Sequence, residues 1–360
     1  MCTHLPDLHG AIEPIASHRL GKPSQIRRRL LQALPLLACG LLVAPVRAQS
    51  NIHQSARILM GTRVDLTLQG DQGDDQQALA SAADAAFTEM QRLADMMSRY
   101  RSNSVLNAIN LSAGLQAVPV PPELLQVLLM ARQAAHASAG CFDATIGALR
   151  DWNFDPVQAS IATARQIAAQ LPLVGEKGLV INERLSTAYL SKRGMRLDLG
   201  GIAKLPILQA GMRQLQALGV NNAMINGGGD VLVNGQLNGR AWRIGLRDPR
   251  QPDQLLGAVA LQQGFVAASG DYERFVMVQG KRMHHILDPK TGYPTQGLHG
   301  VTLISTDLNA INGLGAAIMV AGAETGRHRL AALPTVDALM VDADSKLWLS
   351  PGMTKRLKTV

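Results

Sequence analysis

Near residue 177 the hydrophobic periodicity of this 360-residue chain changes. Before that point apolar residues recur at helical spacing. Residues 76–97 carry Leu79, Ala83, Phe87, Met90 and Leu93 on one stripe, and residues 123–139 and 163–170 read as further helices behind Pro or Ser/Thr start signals. After it, short runs bounded by turn residues read as strands at 179–181, 194–199, 223–225, 231–233, 242–246, 259–261 and 274–278. Two helices, 202–218 and 309–321, interrupt or follow them, and residues 58–68 alternate apolar and polar side chains as a half-buried strand does. Antiparallel strands with segregated helices specify α+β architecture, not the regular alternation of a doubly wound sheet. No internal period or low-complexity linker divides the chain, so one compact unit of mixed strands and helices is expected.

The N-terminal segment follows a different logic. Arg27, Arg28 and Arg29 precede a run over residues 30–46 that is apolar apart from Gln32, and Val46-Arg47-Ala48 places small residues where a signal peptidase reads. Residues 1–48 are expected to be a signal peptide and 49–360 the folded domain, in a periplasmic or otherwise exported protein. The run is shorter than the roughly 20 residues a bilayer span needs, and no later run is longer, so no transmembrane span is expected in the mature chain. Leu36-Leu37-Ala38-Cys39 offers a competing lipid-anchor site, but the apolar run continues past Cys39, which favours cleavage after Ala48. The arginines also fit a loose twin-arginine pattern, so the export route stays open.

Charge and cysteine content narrow the function classes. The formal charge is +8, but the first 48 residues hold six Lys/Arg against two Asp/Glu and account for half of it. With 3% aromatics there is no stacking platform among basic residues, and a nucleic-acid partner is not expected. Cys141 is the one cysteine beyond the leader, so the mature domain has no disulfide framework. Zincin, P-loop, nucleophile-elbow and dinucleotide-binding motifs are missing; Gly227-Gly228-Gly229 lacks the required spacing.

What remains is a set of strand-to-loop constellations. Residues 197–204, Leu-Asp-Leu-Gly-Gly-Ile-Ala-Lys, read as a strand ending in two glycines before a helix, which would present backbone amides and Lys204 to an anion or else form a plain glycine turn. His285 to Pro294 reads as a strand running into a Pro/Gly turn capped by Asp288. Gly140-Cys141-Phe142-Asp143-Ala144-Thr145 closes a helix and supplies a carboxylate and a hydroxyl; Cys141 reads as a small wall residue.

Taken in order with Leu59-Met60-Gly61-Thr62, Met97-Ser98-Arg99-Tyr100, Ser104, Asn110, Asn226 to Asp230 and Ala268-Ser269-Gly270-Asp271, these segments resemble the FAD:protein FMN transferase (ApbE) family across nearly the whole mature chain. The resemblance implies a T-fold-related unit that splits the FAD pyrophosphate and joins FMN to a Ser or Thr hydroxyl of an exported flavoprotein acceptor, releasing AMP. It implies that Met60, Tyr100, Cys141, Phe142, Asp143, Asp198, Lys204 and Leu287 line the FAD site and that His285 handles or orients a proton. It also implies Mg2+ held by the carbonyl at Gly201 and by two side chains on the last helix, at the positions of Asn312 and Ala316.

The last two positions depart from the family. Its pattern D-A-x-x-T-A sets an aspartate and a threonine one turn apart on one helix face, and here they are Asn312 and Ala316. An amide oxygen ligates magnesium without contributing charge and a methyl cannot ligate, so metal affinity is expected to fall; Asp307 is a poor helical match for a replacement. Lys204 is followed by Leu205-Pro206 where the family has other residues, and the proline removes an amide at the helix start. Three readings follow from the sequence: a flavin transferase, an FAD-binding paralogue acting as flavin carrier or scaffold for an exported respiratory system, and a structural relative with an empty pocket. The retained Asp143, Asp198, Lys204 and Tyr100 argue against the third.

Overall fold

The computed structural model of the protein describes residues 51–71, 75–155 and 157–359. The expected signal peptide, with Cys2, Cys39, the arginine triplet and the junction at Ala48, lies outside the described residues.

A hairpin of β1 (Ile52–Leu59) and β2 (Thr62–Gln69) leads into α1 (Gln76–Met96), α2 (Val105–Leu111), β3 (Val118–Pro119), α3 (Pro122–Ala137) and α4 (Ala164–Gln170). Next come β4 (Leu179–Asn182), β5 (Thr187–Leu190) and α5 (Lys204–Ala217). The strands β6 (Asn222–Gly227), β7 (Asp230–Asn234), β8 (Trp242–Arg247), β9 (Leu255–Leu261), β10 (Gln263–Gly270), β11 (Phe275–Val278), β12 (Lys281–His284) and β13 (Leu298–Ser305) follow. The chain continues through α6 (Leu308–Ile311), α7 (Leu314–Ala331), β14 (Asp337–Asp342), β15 (Leu347–Leu349) and α8 (Pro351–Arg356).

An eight-stranded sheet in the order β1-β2-β6-β7-β10-β13-β14-β15 organises the molecule, each neighbour antiparallel to the next. The period-two alternation of its strands decides which side chain enters which layer. Leu232, Phe265, Leu303 and Met340 face the core shared with α1, α5 and α7, whereas Val231, Val233, Val266, Ile304 and Val341 face a second core under β8, β9 and α8. The sheet is therefore covered on both faces. Phe87, Met90 and Leu93 of α1 are buried, and each such side chain contributes roughly 1.5–3 kcal/mol by leaving water. Gly211 lets α5 close on α1, because a Cβ there would come within 2.8 Å of Met90.

Local chemistry explains the helix starts. Asp75 caps α1 by accepting from the Gln77 amide at 3.0 Å, and Thr163 forms a reciprocal capping box with Gln166 at the head of α4. A satellite core joins the segment 146–174 to the β11–β12 hairpin through Leu149, Trp152, Ile167, Val276 and Val278. The Trp152 indole donates to the Gly292 carbonyl at 2.9 Å and pins the turn that follows His285.

Three expectations are corrected. Residues 58–68 are not one strand: the chain reverses at Met60 and Gly61, whose φ values of 53° and 71° make a tight hairpin turn between two alternating runs. Residues 194–199 form no extended strand: Arg196 makes one isolated parallel bridge to Ile146, and the rest of the backbone is held by the Asn110 side chain and the Ala144 carbonyl, so the alternation of Met195, Leu197 and Leu199 reflects burial beside α2 and not a ladder. The helix expected over 309–321 is broken, since Asn312 is extended and Gly313 is left-handed (φ 78°) between α6 and α7.

Candidate functional site

One end of the central sheet collects three of the sequence landmarks, at residues 59–62, 226–230 and 268–271. The Met60-Gly61 turn lies beside the β6–β7 turn, where Gly228 and Gly229 take φ values of 71° and 97° and a Cβ at Gly228 would strike the Thr62 side chain. Asp230, at the start of β7, accepts from the Ala268 amide at 3.0 Å and pairs with Lys204 at 3.0 Å. Through that carboxylate the last residues of β10 and the first residue of α5 meet at the same sheet end.

A second group of side chains surrounds the turn before α5. Asn110 of α2 donates to the Leu197 carbonyl at 3.1 Å and accepts from the Leu197 amide at 2.7 Å, so one buried amide satisfies both polar groups of a residue that has no strand partner. The Asp198 amide donates to the Ala144 carbonyl at 2.7 Å, which sets residues 141–145 against residues 197–199. Asp143 is buried and accepts from both the amide and the hydroxyl of Thr145, at 2.8 and 2.6 Å; burial nonetheless pushes its carboxyl above the ordinary carboxylate range. Asp198 pairs with Arg99 at 3.1 Å and accepts from the Gly200 amide at 2.8 Å. Arg99 in turn lies 4.8 Å over the Tyr100 ring and donates to its hydroxyl at 2.8 Å. Tyr100 itself is 76% exposed, with its ring presented to solvent.

The histidine pair sits at the end of β12. His284 is buried and its Nε2 stands 2.8 Å from the Thr295 carbonyl; burial holds its pKa below the usual value. His285 is half-buried, with Nδ1 3.3 Å from the Arg274 carbonyl. Close packing, reinforced by the positive charges of Arg274 and Lys204, pushes its pKa down to about 3. With the proton on Nδ1 toward that carbonyl, Nε2 keeps its lone pair. Next to this pair, buried Asp271 is ringed by Arg250, Arg282 and His299.

Lys204 is thus fixed by Asp230 at the sheet end, while Asp198 is joined to Tyr100 through Arg99 and to the Asp143 segment through the Ala144 carbonyl. Phe142 packs where a Cβ at Gly201 would come within 3.2 Å of its ring, and Cys141 is half-buried against the main core. Met60 rests on the main core and Leu287 on the satellite core. Two partners were not singled out from sequence, Arg99 for Asp198 and Asp230 for Lys204. Both lie inside the landmark motifs, and a charged residue within such a motif was the available signal.

Magnesium does not fit the residues at its expected place. The Asn312 amide nitrogen donates at 2.9 Å to the carbonyl of Ile202, one residue beyond the expected Gly201. Ala316 brings only a methyl, and Asp307 is engaged in capping α6 through the Asn309 amide at 2.9 Å. Among the described residues no three His, Cys, Asp or Glu side chains converge to hold an ion.

The ApbE family pattern matches residues 60–340. This chain belongs to the ApbE family. The FAD:protein FMN transferase of Klebsiella pneumoniae (strain 342) is 32% identical over 306 residues, covering 84% of this chain and 93% of that protein. That of Treponema pallidum (strain Nichols) is 27% identical over 344 residues, covering 91% and 94%. Among solved structures, the ApbE protein of Thermotoga maritima superimposes with a TM-score of 0.78 at 29% identity over 85% of this chain and 99% of its own. The flavin transferase ApbE of Vibrio cholerae gives 0.74 at 26% identity over 86% and 100%. The mixed antiparallel architecture is therefore the ApbE fold.

Proposed function

We propose that this chain is an FAD:protein FMN transferase, moving FMN from FAD onto a hydroxyl of an acceptor flavoprotein with release of AMP. The observation that supports it most is the ApbE architecture carrying the expected flavin-lining residues on adjoining loops, with Lys204, Asp198 and Asp143 held in place by named partners. In the proposed reaction the acceptor oxygen attacks the FMN-side phosphorus, the pyrophosphate P–O bond breaks, and AMP departs with the bridging oxygen. Nε2 of His285 takes the hydroxyl proton. Burial is the main cause of the histidine's low pKa, and the pyrophosphate's negative charge would oppose the fields of Arg274 and Lys204 that add to it. Lys204 draws charge from the phosphate, and Tyr100 covers a ring of the dinucleotide. Met60, Cys141, Phe142 and Leu287 form the apolar wall.

The same reading makes residues 1–48 an export leader, residues 49–360 the mature domain and the acceptor an exported flavoprotein modified on Ser or Thr. No described helix is long and apolar enough to cross a membrane. The test is direct: incubate the purified protein with FAD and a flavoprotein domain that another ApbE enzyme labels, and measure the FMN mass increment and AMP release. An adduct that disappears in His285→Gly supports the reading. FAD binding with no adduct, where the control enzyme labels the same acceptor, overturns it in favour of a flavin carrier.

A further inference from the structure

The ApbE pattern puts a carboxylate where this chain has Asn312, and the structure uses the substitution in a way a carboxylate could not be used. Asn312 is 8% exposed, and its Nδ2 donates to the Ile202 carbonyl at 2.9 Å with Met130 Sδ at 3.8 Å on its other side. Gly313 then turns through φ 78° so tightly that a Cβ would come within 3.2–3.5 Å of Ala134, Phe142 and Ile202. The α6–α7 break is thereby laid against the turn that leads into α5.

An aspartate at 312 would have no proton to give. Its oxygens would face the partial negative charge of the Ile202 carbonyl in a poorly solvated place, an arrangement that a cation between them relieves. The asparagine relieves it with its own N–H. Ala316, two residues into α7 from Leu314, is half-buried and offers nothing further to a metal.

We propose that the Asn312 amide replaces the divalent cation in this chain, clasping the α6–α7 break to the turn before α5 so that the pocket is assembled without metal. The proposal rests on the ApbE reading for the expectation of a metal at this place. The clasp itself is a hydrogen bond between two segments of the fold and is tested without substrate.

Thermal melting of the ligand-free protein is followed in EDTA and with Mg2+ alone, raised to about 10 mM, so that the nucleotide's own affinity for metal does not enter. The melting temperature of the native protein is expected to move by less than about 1 °C. Asn312→Asp with Ala316→Thr is expected to melt lower in EDTA and to recover several degrees on adding Mg2+. Asn312→Ala, which loses both donor and ligand, is expected to melt lower and to ignore the metal. A native protein that gains several degrees from Mg2+ overturns the proposal, whether or not the variants fold. So does an Asn312→Ala variant as stable as the native chain. Neither result bears on whether FMN is transferred, and a failure of transfer leaves the melting comparison intact.

Discussion

Lys204 Nζ stands 3.0 Å from Asp230 Oδ2, tying the first residue of α5 to the first residue of β7. The pair is partly shielded, with side-chain exposures of 28% and 13%, and Asp230 is also engaged by the Ala268 amide. The lysine is thus positioned beside the glycine turns before any anion arrives. Lys204→Ala is expected to weaken FAD binding by about tenfold or more, the scale of one charge-assisted hydrogen bond. Asp230→Asn keeps an acceptor for Ala268 and releases the lysine, so its affinity should not fall. Calorimetric titration with FAD separates the two.

The Tyr100 side chain meets the guanidinium of its neighbour Arg99, and most of its surface faces water. Tyr100→Ala should leave the melting temperature of the free protein nearly unchanged while reducing FAD affinity by about 0.5–1.5 kcal/mol, the range for an aromatic pair. A melting loss as large as that of a core deletion would show that the ring supports the fold instead.

Asn110 has the opposite profile, being buried with its amide spent on the backbone of Leu197. Asn110→Ala strands the amide and the carbonyl of Leu197 together, at a cost of about 2–4 kcal/mol, two unsatisfied groups at about 1–2 each. Urea denaturation should show a lower midpoint with an unchanged slope.

His285 titrates at about 3 in the folded protein, against an ordinary histidine value near 6.5 when unfolded. The unfolded chain therefore binds the proton first on acidification. This histidine's contribution to stability is intact above about pH 6.5 and declines as the pH falls from there toward 3. His284, also shifted down by burial, acts in the same direction. Asp143, whose carboxyl is shifted up, acts in the opposite direction, so the native profile alone does not isolate the histidine. The difference in unfolding free energy between native protein and His285→Gln should grow in favour of the variant between pH 6.5 and 4. A difference independent of pH would mean that the folded imidazole protonates as readily as the unfolded one.

Much of this was legible in the sequence, for identifiable reasons. The helices α1, α3 and α5 announce themselves through an apolar stripe and α4 through its Thr163 start signal, and their ends fall within a few residues of the expected ones. The β1–β2 turn was hidden because both flanking runs alternate in phase, so Met60 and Gly61 look like two more strand residues. The segment 194–199 misleads because its backbone meets the Asn110 side chain, the Ala144 carbonyl and a single bridge to Ile146, which make no ladder. The last helix reads as continuous because Gly313 is followed by Gly315, and nothing local marks the first as left-handed. In the site, residue types were readable while pairings were not: that Arg99 meets Asp198 and Lys204 meets Asp230 depends on which turns the sheet brings to one end.

The strand order has a consequence for how the chain comes together. From β6 onward most sheet neighbours are close in sequence, but β2 must pair with β6, which begins only at Asn222. Until β6 is in place the first hairpin waits with its inner edge unpaired and Val64, Leu66 and Leu68 in need of cover. The helix that follows immediately, α1, supplies that cover through Phe87 and its neighbours. Closing the long β2–β6 gap is the slow, high-contact-order step, and it is also the step that brings the Met60-Gly61 turn beside Gly228. The end of the sheet that carries the Met60-Gly61 and Gly228 turns is thus assembled late, and until then one helix guards an open strand edge.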